Sequence, residues 1–394
     1  MEYVKGGYVQ MIYLDNAATT YPKPEKVYKE MDRCMREYCA NPGRGGHSMS
    51  IQSGQAVMEA REKVSKFFNI SNPMQLCFTK NATEALNIAI KGSLKAGDHV
   101  ITTSLEHNSV MRPLKLLERD LGVEVTVVRG NVFGEIDPDD IQKSIKKNTK
   151  LIVATLSSNV NGILLPAKDI GKIAGENGIM YLLDGSQGAG TINIDVEDMN
   201  ISMLAFPGHK SLMGPVGTGG LYIREGLKVN SILQGGTGSN SENFTQPEFM
   251  PDLMESGTLN TPGIVGLGYG IDFINSQGIE NIRAHKYRLV KMLFEGVREL
   301  KNIKLYSKNH IEKNSGIVAL NFEGVPSSEV SYVLNKVYNI GTRAGMHCAP
   351  IAHDTLGTSI TGAVRFSVGV FNTDSEIETT INALKEISLN VGKI

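Results

Sequence analysis

Between residues 75 and 186 the chain alternates short apolar runs with helix-like stretches, and this alternation constrains the fold more than any other feature. The runs are "QLCFTK" (Gln75 to Lys80), "HVITTS" (His99 to Ser104), "VEVTVVRG" (Val123 to Gly130), "LIVATLSS" (Leu151 to Ser158) and "IMYLLDGS" (Ile179 to Ser186). Short β-branched or apolar segments of this kind belong to strands buried within a parallel sheet. Between them lie "ATEALNIAIKGSL", "MRPLKLLERDL" and "AKDIGKIAGENG", which read as helices. The order predicts an α/β fold. In an open α/β sheet ligands gather at the carboxyl ends of the strands. Several runs end in polar residues, namely Thr79, Glu106 with His107, Ser158 with Asn159, and Asp184. These ends are predicted to converge on one site.

Composition narrows the function classes. With 40 basic and 41 acidic residues the formal net charge is -1, so nothing points to a nucleic acid or an anionic membrane surface as partner. No apolar run approaches the roughly 20 residues needed to span a bilayer. The length of 394 residues predicts two or three domains with substantial cores. The 42 glycines fall in short clusters that read as turns around a site rather than as linker. Four cysteines (Cys34, Cys39, Cys77 and Cys348) are too few for a secreted disulfide framework, and a cytoplasmic location is expected. The opening "MEYVKGGYVQ" lacks an apolar export core. Its Lys5-Gly6-Gly7 is what a translated purine-rich ribosome-binding site would encode, so Met11 is expected to be the natural start and residues 1–10 non-native or disordered.

After Gly257 the texture changes. A long helical stretch from about Thr261 is followed by short strands such as "GIVALNFEG" and "AVRFSVG" with helices between, a smaller α+β arrangement. The expected division is an N-terminal segment over 1–20, a large domain over 21–260 and a small C-terminal domain over 261–394. The polar strand ends fall in the large domain and Cys348 in the small one, so the thiol would act across a domain interface, a common place for pockets.

Two stretches carry chemistry. In "RAGMHCAP" (Arg343 to Pro350) one thiol is set among a glycine, a histidine and an arginine. A lone Cys is more often a small buried hydrophobe than a nucleophile. Here, however, Gly345 permits unusual backbone angles, and Arg343 and His347 would supply positive charge that favours the thiolate. The second stretch is "AFPGHKSLMGPVGTGGLYI" (Ala205 to Ile223). A Lys in a Gly-flanked turn is by itself a surface residue, whereas a Lys in a pocket beside cationic or apolar groups loses its proton readily and can form a Schiff base. Asp184, at the end of an apolar strand, could pair with the protonated pyridine nitrogen of pyridoxal phosphate. "KNATEALN" begins a helix at Ala82, Thr83 and Glu84, whose free N–H groups and hydroxyl could hold a phosphate dianion. His107, beside a strand end, could lie flat on the ring.

Together these residues resemble the class V aminotransferase family of pyridoxal-phosphate enzymes and, within it, the cysteine desulfurase and selenocysteine lyase branch. The resemblance runs from "YLDNAATT" (Tyr13 to Thr20) to "VRFSVGVFNT" (Val364 to Thr373), with "NPGRGGH", "NATEALN", "LEHNS", "SSNVNG", "LDGSQGAG", "PGHKSLMGPVGTGG", "ESGTLNTPG" and "RAGMHCAP" between them in family order. It implies the aspartate-aminotransferase-like fold: a large domain built on a mainly parallel seven-stranded sheet, a smaller α+β domain, and active sites at a homodimer interface. By the same resemblance Lys210 is the Schiff-base lysine, Asp184 the pyridinium partner, Gln187 the residue facing the ring hydroxyl and His107 the stacking histidine. Ala82, Thr83, His209 and, from the partner subunit, Thr258 contact the phosphate. Arg365, assisted by Asn159 and with Arg343 nearby, holds the substrate carboxylate. Cys348 is the sulfur acceptor, in a short, ordered loop of the second desulfurase group. The implied reaction turns L-cysteine into L-alanine and leaves a persulfide on Cys348 for a sulfur-acceptor protein, as in iron–sulfur cluster assembly. Selenocysteine lyase, another class V lyase or aminotransferase, and a non-catalytic sulfur carrier are the competing readings.

Two positions depart from the family pattern. Pro207 stands where many desulfurases have a Ser before "GHK", removing one hydroxyl contact to the phosphate, and Met346 replaces the first His of the commoner "HHC". Other residues read as structural. His353 near His347 and Cys348 lacks the further Cys or carboxylate of a metal site, and the spacing of Cys34 and Cys39 does not suit a metal on one helix face. No metal is expected. "GPVGTGG" lacks the order of a dinucleotide-binding loop.

Overall fold

The computed structural model describes residues 11–390, apart from Arg44, Ser241 and 308–312; the expectation for residues 1–10 lies outside this range. The chain runs through β1 (Ile12–Tyr13), α1 (Glu25–Glu37), α2 (Ser48–Phe67), β2 (Leu76–Thr79), α3 (Ala82–Ser93), β3 (His99–Thr103), α4 (Asn108–Leu121) and β4 (Glu124–Val128). It continues with α5 (Pro138–Lys143), β5 (Thr149–Thr155), α6 (Ala167–Glu176), β6 (Met180–Asp184), β7 (Met203–Pro207) and β8 (Gly219–Ile223). The remainder is α7 (Thr261–Gln277), α8 (Ile279–Val297), β9 (Ile303–Leu305), β10 (Ile317–Phe322), α9 (Ser327–Tyr338), β11 (Ile340–Gly341), β12 (Arg343–Gly345), α10 (Pro350–Thr355), β13 (Ala363–Ser367) and α11 (Asp374–Leu389).

Seven strands form one sheet in the order β2-β8-β7-β6-β5-β3-β4. The five from β4 to β7 are parallel, as their apolar runs predict. "QLCFTK" departs from that expectation only in its pairing: β8 turns back antiparallel to β7, and β2, which runs in the direction of the five, pairs antiparallel with β8 at the sheet edge. An apolar run reports burial on both faces but not which strand lies beside it. The period-2 alternation of strand side chains divides β5 between two cores. Ile152 and Ala154 face the layer of α2, α6 and α7, while Leu151 and Val153 face that of α3 and α4.

The long helical stretch after Gly257 is two helices. Gly278 has φ +79, a left-handed value that most side chains disfavour, and it separates α7 from α8. The division expected at 260 falls at the entrance to α7, whose Ile264, Leu267 and Ile271 are buried in the core of the large sheet. From α8 onward the chain builds a second core around the antiparallel sheet β12-β13-β10-β9.

The start of the described chain is tied to that second region. β1 pairs in parallel with β11, and Leu14 is buried in the second core. Asp15 bridges to Ser367, Asn16 donates through Nδ2 to the Ser367 carbonyl (3.0 Å), and Ala17 N–H donates to Ser367 Oγ (2.9 Å). Among the described residues no helix is long and apolar enough to cross a membrane.

Candidate active site

The carboxyl ends of the central strands converge on a cavity of about 210 Å³. Asp184 closes β6, is 2% exposed, and accepts from Ser186 N–H at 2.9 Å through one carboxylate oxygen. Lys210 stands in the tight turn after β7 and lines the same cavity. Burial pushes its amine down to about 8, and Arg365 and Arg343 add to the fall while Asp184 opposes it. The sequence therefore places a basic amine where its free form is available near neutrality.

His107 is the N-cap of α4, which explains why that helix begins three residues before its apolar pattern does. Its Nδ1 accepts from Ser109 N–H at 3.0 Å, and burial lowers its pKa. The ring is thus neutral, with Nδ1 bare and Nε2 carrying the proton. Ser109 Oγ lies 2.7 Å from Thr83 Oγ1. With His107 Nδ1 already taking the backbone N–H, the Ser109 hydroxyl can donate to Thr83 and leave the Thr83 hydroxyl as donor toward the cavity. At the start of α3 the Asn81 side chain caps the N–H of Glu84, and Ala82 and Thr83 stand in the cavity wall at the positive end of the helix. Gln187 lines the opposite side and donates through Nε2 to the Ala17 carbonyl at 3.0 Å.

His209 also lines the cavity. Its ring is held neutral by burial, which pushes it down to about 4, reinforced by the charges of Lys210 and Lys23. The carbonyl of His209 accepts from Thr19 Oγ1, Thr20 N–H and Lys23 Nζ, so the segment after β1 anchors the lysine turn.

The mouth is built by the smaller sheet. Register places Arg343 on β12 directly opposite Arg365 on β13. Arg365 is 1% exposed, pairs with Asp15 Oδ1 at 2.8 Å and donates to the Asn159 carbonyl at 2.8 Å. Asn159 in turn donates through Nδ2 to the His347 carbonyl at 2.6 Å. Cys348 is exposed at the rim, with a guanidinium nitrogen of Arg343 3.9 Å from Sγ and its carbonyl accepting from Asn108 N–H at 2.8 Å.

One sequence expectation fails here. His347 supplies no positive charge to the thiol, because burial, together with the field of Arg365, pushes its pKa down to about 3. Arg343 is the cation beside Sγ. Ala82, Thr83, His107, Asn159, Asp184, Gln187, His209, Lys210, Arg343 and Arg365 all line the one cavity. Thr258 is exposed and does not, and Cys348 stands just outside the lining. Sequence reading passed over Ser109, Asp15 and Lys23. Ser109 belongs to "LEHNS" and had a signal in its place beside a helix start. Asp15 reaches the site through a contact with Arg365, 350 residues away in the chain, and Lys23 through one with His209, 186 residues away.

The profile of the family described as Aminotransferase class-V matches residues 12–380. The chain belongs to the class V aminotransferase family. A probable cysteine desulfurase of Methanothermobacter thermautotrophicus is 37% identical, over 96% of this chain and 94% of its own. A probable cysteine desulfurase of Pyrococcus abyssi is 35% identical, over 96% and 94%. The apo structure of the cysteine desulfurase from Thermococcus onnurineus NA1 superposes with a TM-score of 0.90 at 33% identity, covering 96% of this chain and 95% of that one. Enzymes of the family depend on pyridoxal phosphate, and the fold is their type I architecture. The cavity suits that cofactor: an amine, a buried carboxylate and a helix N-terminus share its wall. Two buried polar atoms, His209 Nδ1 and Arg365 Nε, have no partner of their own.

Proposed function

We propose that this protein is a pyridoxal-phosphate-dependent cysteine desulfurase that converts L-cysteine to L-alanine and takes the sulfur on Cys348. The observation that carries the reading is the placing of an exposed thiol beside Arg343 at the rim of a cavity that holds Lys210, Asp184 and His107. A non-catalytic sulfur carrier has no use for such an amine and carboxylate.

Ala82, Thr83 and His209 would hold the cofactor's phosphate, His107 and Gln187 its ring, and Asp184 its protonated nitrogen. The group supplies an electron sink for the Cα carbanion when bound. Arg365 binds the substrate carboxylate through a planar guanidinium whose buried Nε has no partner of its own, with Arg343 and Asn159 beside it. Lys210 Nζ takes the Cα proton, a step for which a folded-state value near neutrality is suited. Cys348 Sγ attacks the substrate sulfur: an S–S bond forms, the Cβ–S bond breaks with its electron pair left on the carbon fragment, and that fragment gains protons to leave as alanine. Pro207 offers no hydroxyl to the phosphate, so Thr83, His209 and backbone N–H groups carry more of that contact.

The finer assignments are part of the same reading. Thr258 acts in the site of a second subunit; it is exposed, and the chain just before it is pinned by Glu255, which is buried and accepts both guanidinium nitrogens of Arg61 at 2.9 Å. An exposed Cys348 is open to a sulfur-acceptor protein, and four unpaired cysteines suit a reducing, cytoplasmic setting. The deciding experiment incubates the enzyme with cysteine and, separately, with selenocysteine. Equal yields of alanine and of Cys348 persulfide, with transfer lost in Cys348→Ala while the visible cofactor absorbance stays, are expected. Full cysteine turnover by a folded Cys348→Ala protein overturns the role of the thiol, and turnover of selenocysteine alone overturns the substrate.

A further inference from the structure

Behind the thiol lies a buried chain of hydrogen bonds that the reaction scheme does not use. His353, on α10, is fully buried, and its Nε2 lies 3.2 Å from His347 Nδ1. On its other side His353 Nδ1 lies 2.7 Å from Thr358 Oγ1. His347 Nε2 lies 3.3 Å from the Arg343 carbonyl. The donors follow from one fixed point. A carbonyl can only accept, so His347 Nε2 carries the proton; a neutral His347 then accepts at Nδ1, His353 donates from Nε2, and the Thr358 hydroxyl, 2.7 Å from His353 Nδ1 against 3.3 Å from the His353 carbonyl, gives its one proton to Nδ1. Burial holds both rings neutral, pushing His347 down to about 3 and His353 to about 4.

The turn held by this chain is an unusual one. His347 and Cys348 have φ of +46 and +57, the left-handed region that residues with a Cβ rarely enter. Such residues persist only where their surroundings over-determine them. Asn159 and Asn108 secure the two carbonyls, but among the described residues the side chain of His347 hydrogen-bonds to Arg343 and His353 alone. Arg343 is held at both ends of this arrangement, its carbonyl taking His347 and its guanidinium standing 3.9 Å from Cys348 Sγ.

We propose that His353, backed by Thr358, is a positioning residue for Cys348: through His347 it fixes the left-handed turn that carries the thiol and sets Arg343 against the sulfur. The inference rests on Cys348 being the sulfur acceptor. An apolar side chain at 353 would fill the same space, beside Ala349, Ala352 and Leu356, but would give His347 Nδ1 nothing to accept.

The test compares His353→Leu with His353→Gln in the holoenzyme, since the Gln amide can place an N–H near the position of the lost Nε2–H. Single-turnover persulfide formation on Cys348 is expected to slow about tenfold in His353→Leu, the scale on which small misplacements of a reacting group act, with KM for cysteine nearly unchanged. The cofactor absorbance and its change on adding cysteine should not move, and His353→Gln should recover most of the rate. Amide hydrogen exchange over residues 345–349 should speed up in the Leu variant alone. Unchanged exchange and unchanged persulfide formation in His353→Leu overturn the proposal, as does an equal loss in the Leu and Gln variants. Should His353→Leu not fold, Thr358→Val removes only the last donor and is expected to slow persulfide formation in the same direction; a wild-type rate there counts against the chain. Cys348→Ala run alongside separates the two ideas. If it keeps cysteine turnover the acceptor role fails, whereas if it loses turnover while His353→Leu does not, only the positioning role fails.

Discussion

The floor and the mouth of the cavity are held in different ways. On the floor, Asp184 ends β6, Thr83 opens α3 and His107 caps α4, so each side chain is aimed by the regular element that carries it. At the mouth, Arg365 depends on Asp15 and Asn159, and Cys348 sits in a left-handed turn tied to Asn108 and Asn159 of the other sheet's connections. Asp184, Thr83 and His107 are thus aimed by short-range geometry, whereas the mouth is held by bonds between regions distant in sequence. Damage to one should spare the other, and in the proposed function the chemistry divides along the same line, cofactor below and substrate above.

The strongest way to break this division is Lys210→Ala. It should abolish both turnover and the visible absorbance of the bound cofactor, because among the described residues no other amine lines the cavity. Survival of the absorbance would show that the floor does not hold the cofactor as described. A smaller effect is expected from Arg365→Ala, which removes a charged hydrogen bond of roughly 1.5–3 kcal/mol to the substrate and should raise KM about tenfold to a hundredfold. Cofactor absorbance should stay, and its loss would mean that mouth and floor are not separable. The mildest test is of pH. Burial lowers the Lys210 amine from its ordinary value of 10.5 to about 8, so the free amine gains as pH rises through that value. The rate at which the cofactor-free protein captures pyridoxal phosphate should therefore climb about tenfold between about pH 7 and about pH 9. A rise displaced toward pH 10 would show that the floor does not perturb the lysine.

The same contrast explains what was legible in the sequence. Apolar runs with polar ends gave the parallel strands and the convergence of Asp184, His107 and Asn159, because strand burial and strand-end chemistry are written locally. The antiparallel pairing of β2 was hidden, since β2 runs with the parallel strands and it is the neighbour inserted beside it, β8, more than a hundred residues away in the chain, that is reversed. The Asp15 partner of Arg365 was hidden for the same reason. The positive φ of His347 and Cys348 had no signal either, because left-handed backbone is usually announced by glycine, and the glycine of that stretch, Gly345, lies two residues earlier. The charge expected of His347 was misread because sequence shows a histidine and not its burial.

The docking of residues 12–17 against β11 and β13 has a consequence for how the enzyme is made. A ribosome releases Ala17 and Ala18, which line the cavity, among the first residues of the fold, and Ser367, which holds Ala17, among the last. Contacts of such long sequence separation cannot form until both partners exist. The large sheet has all seven strands once residue 223 has emerged, yet the mouth of the cavity stays open until β13 brings Arg365. A chain stopped short of β13 would keep Asp184, Thr83, His107 and Lys210 on its sheet but would lack Arg365 and the anchor of residues 15–17.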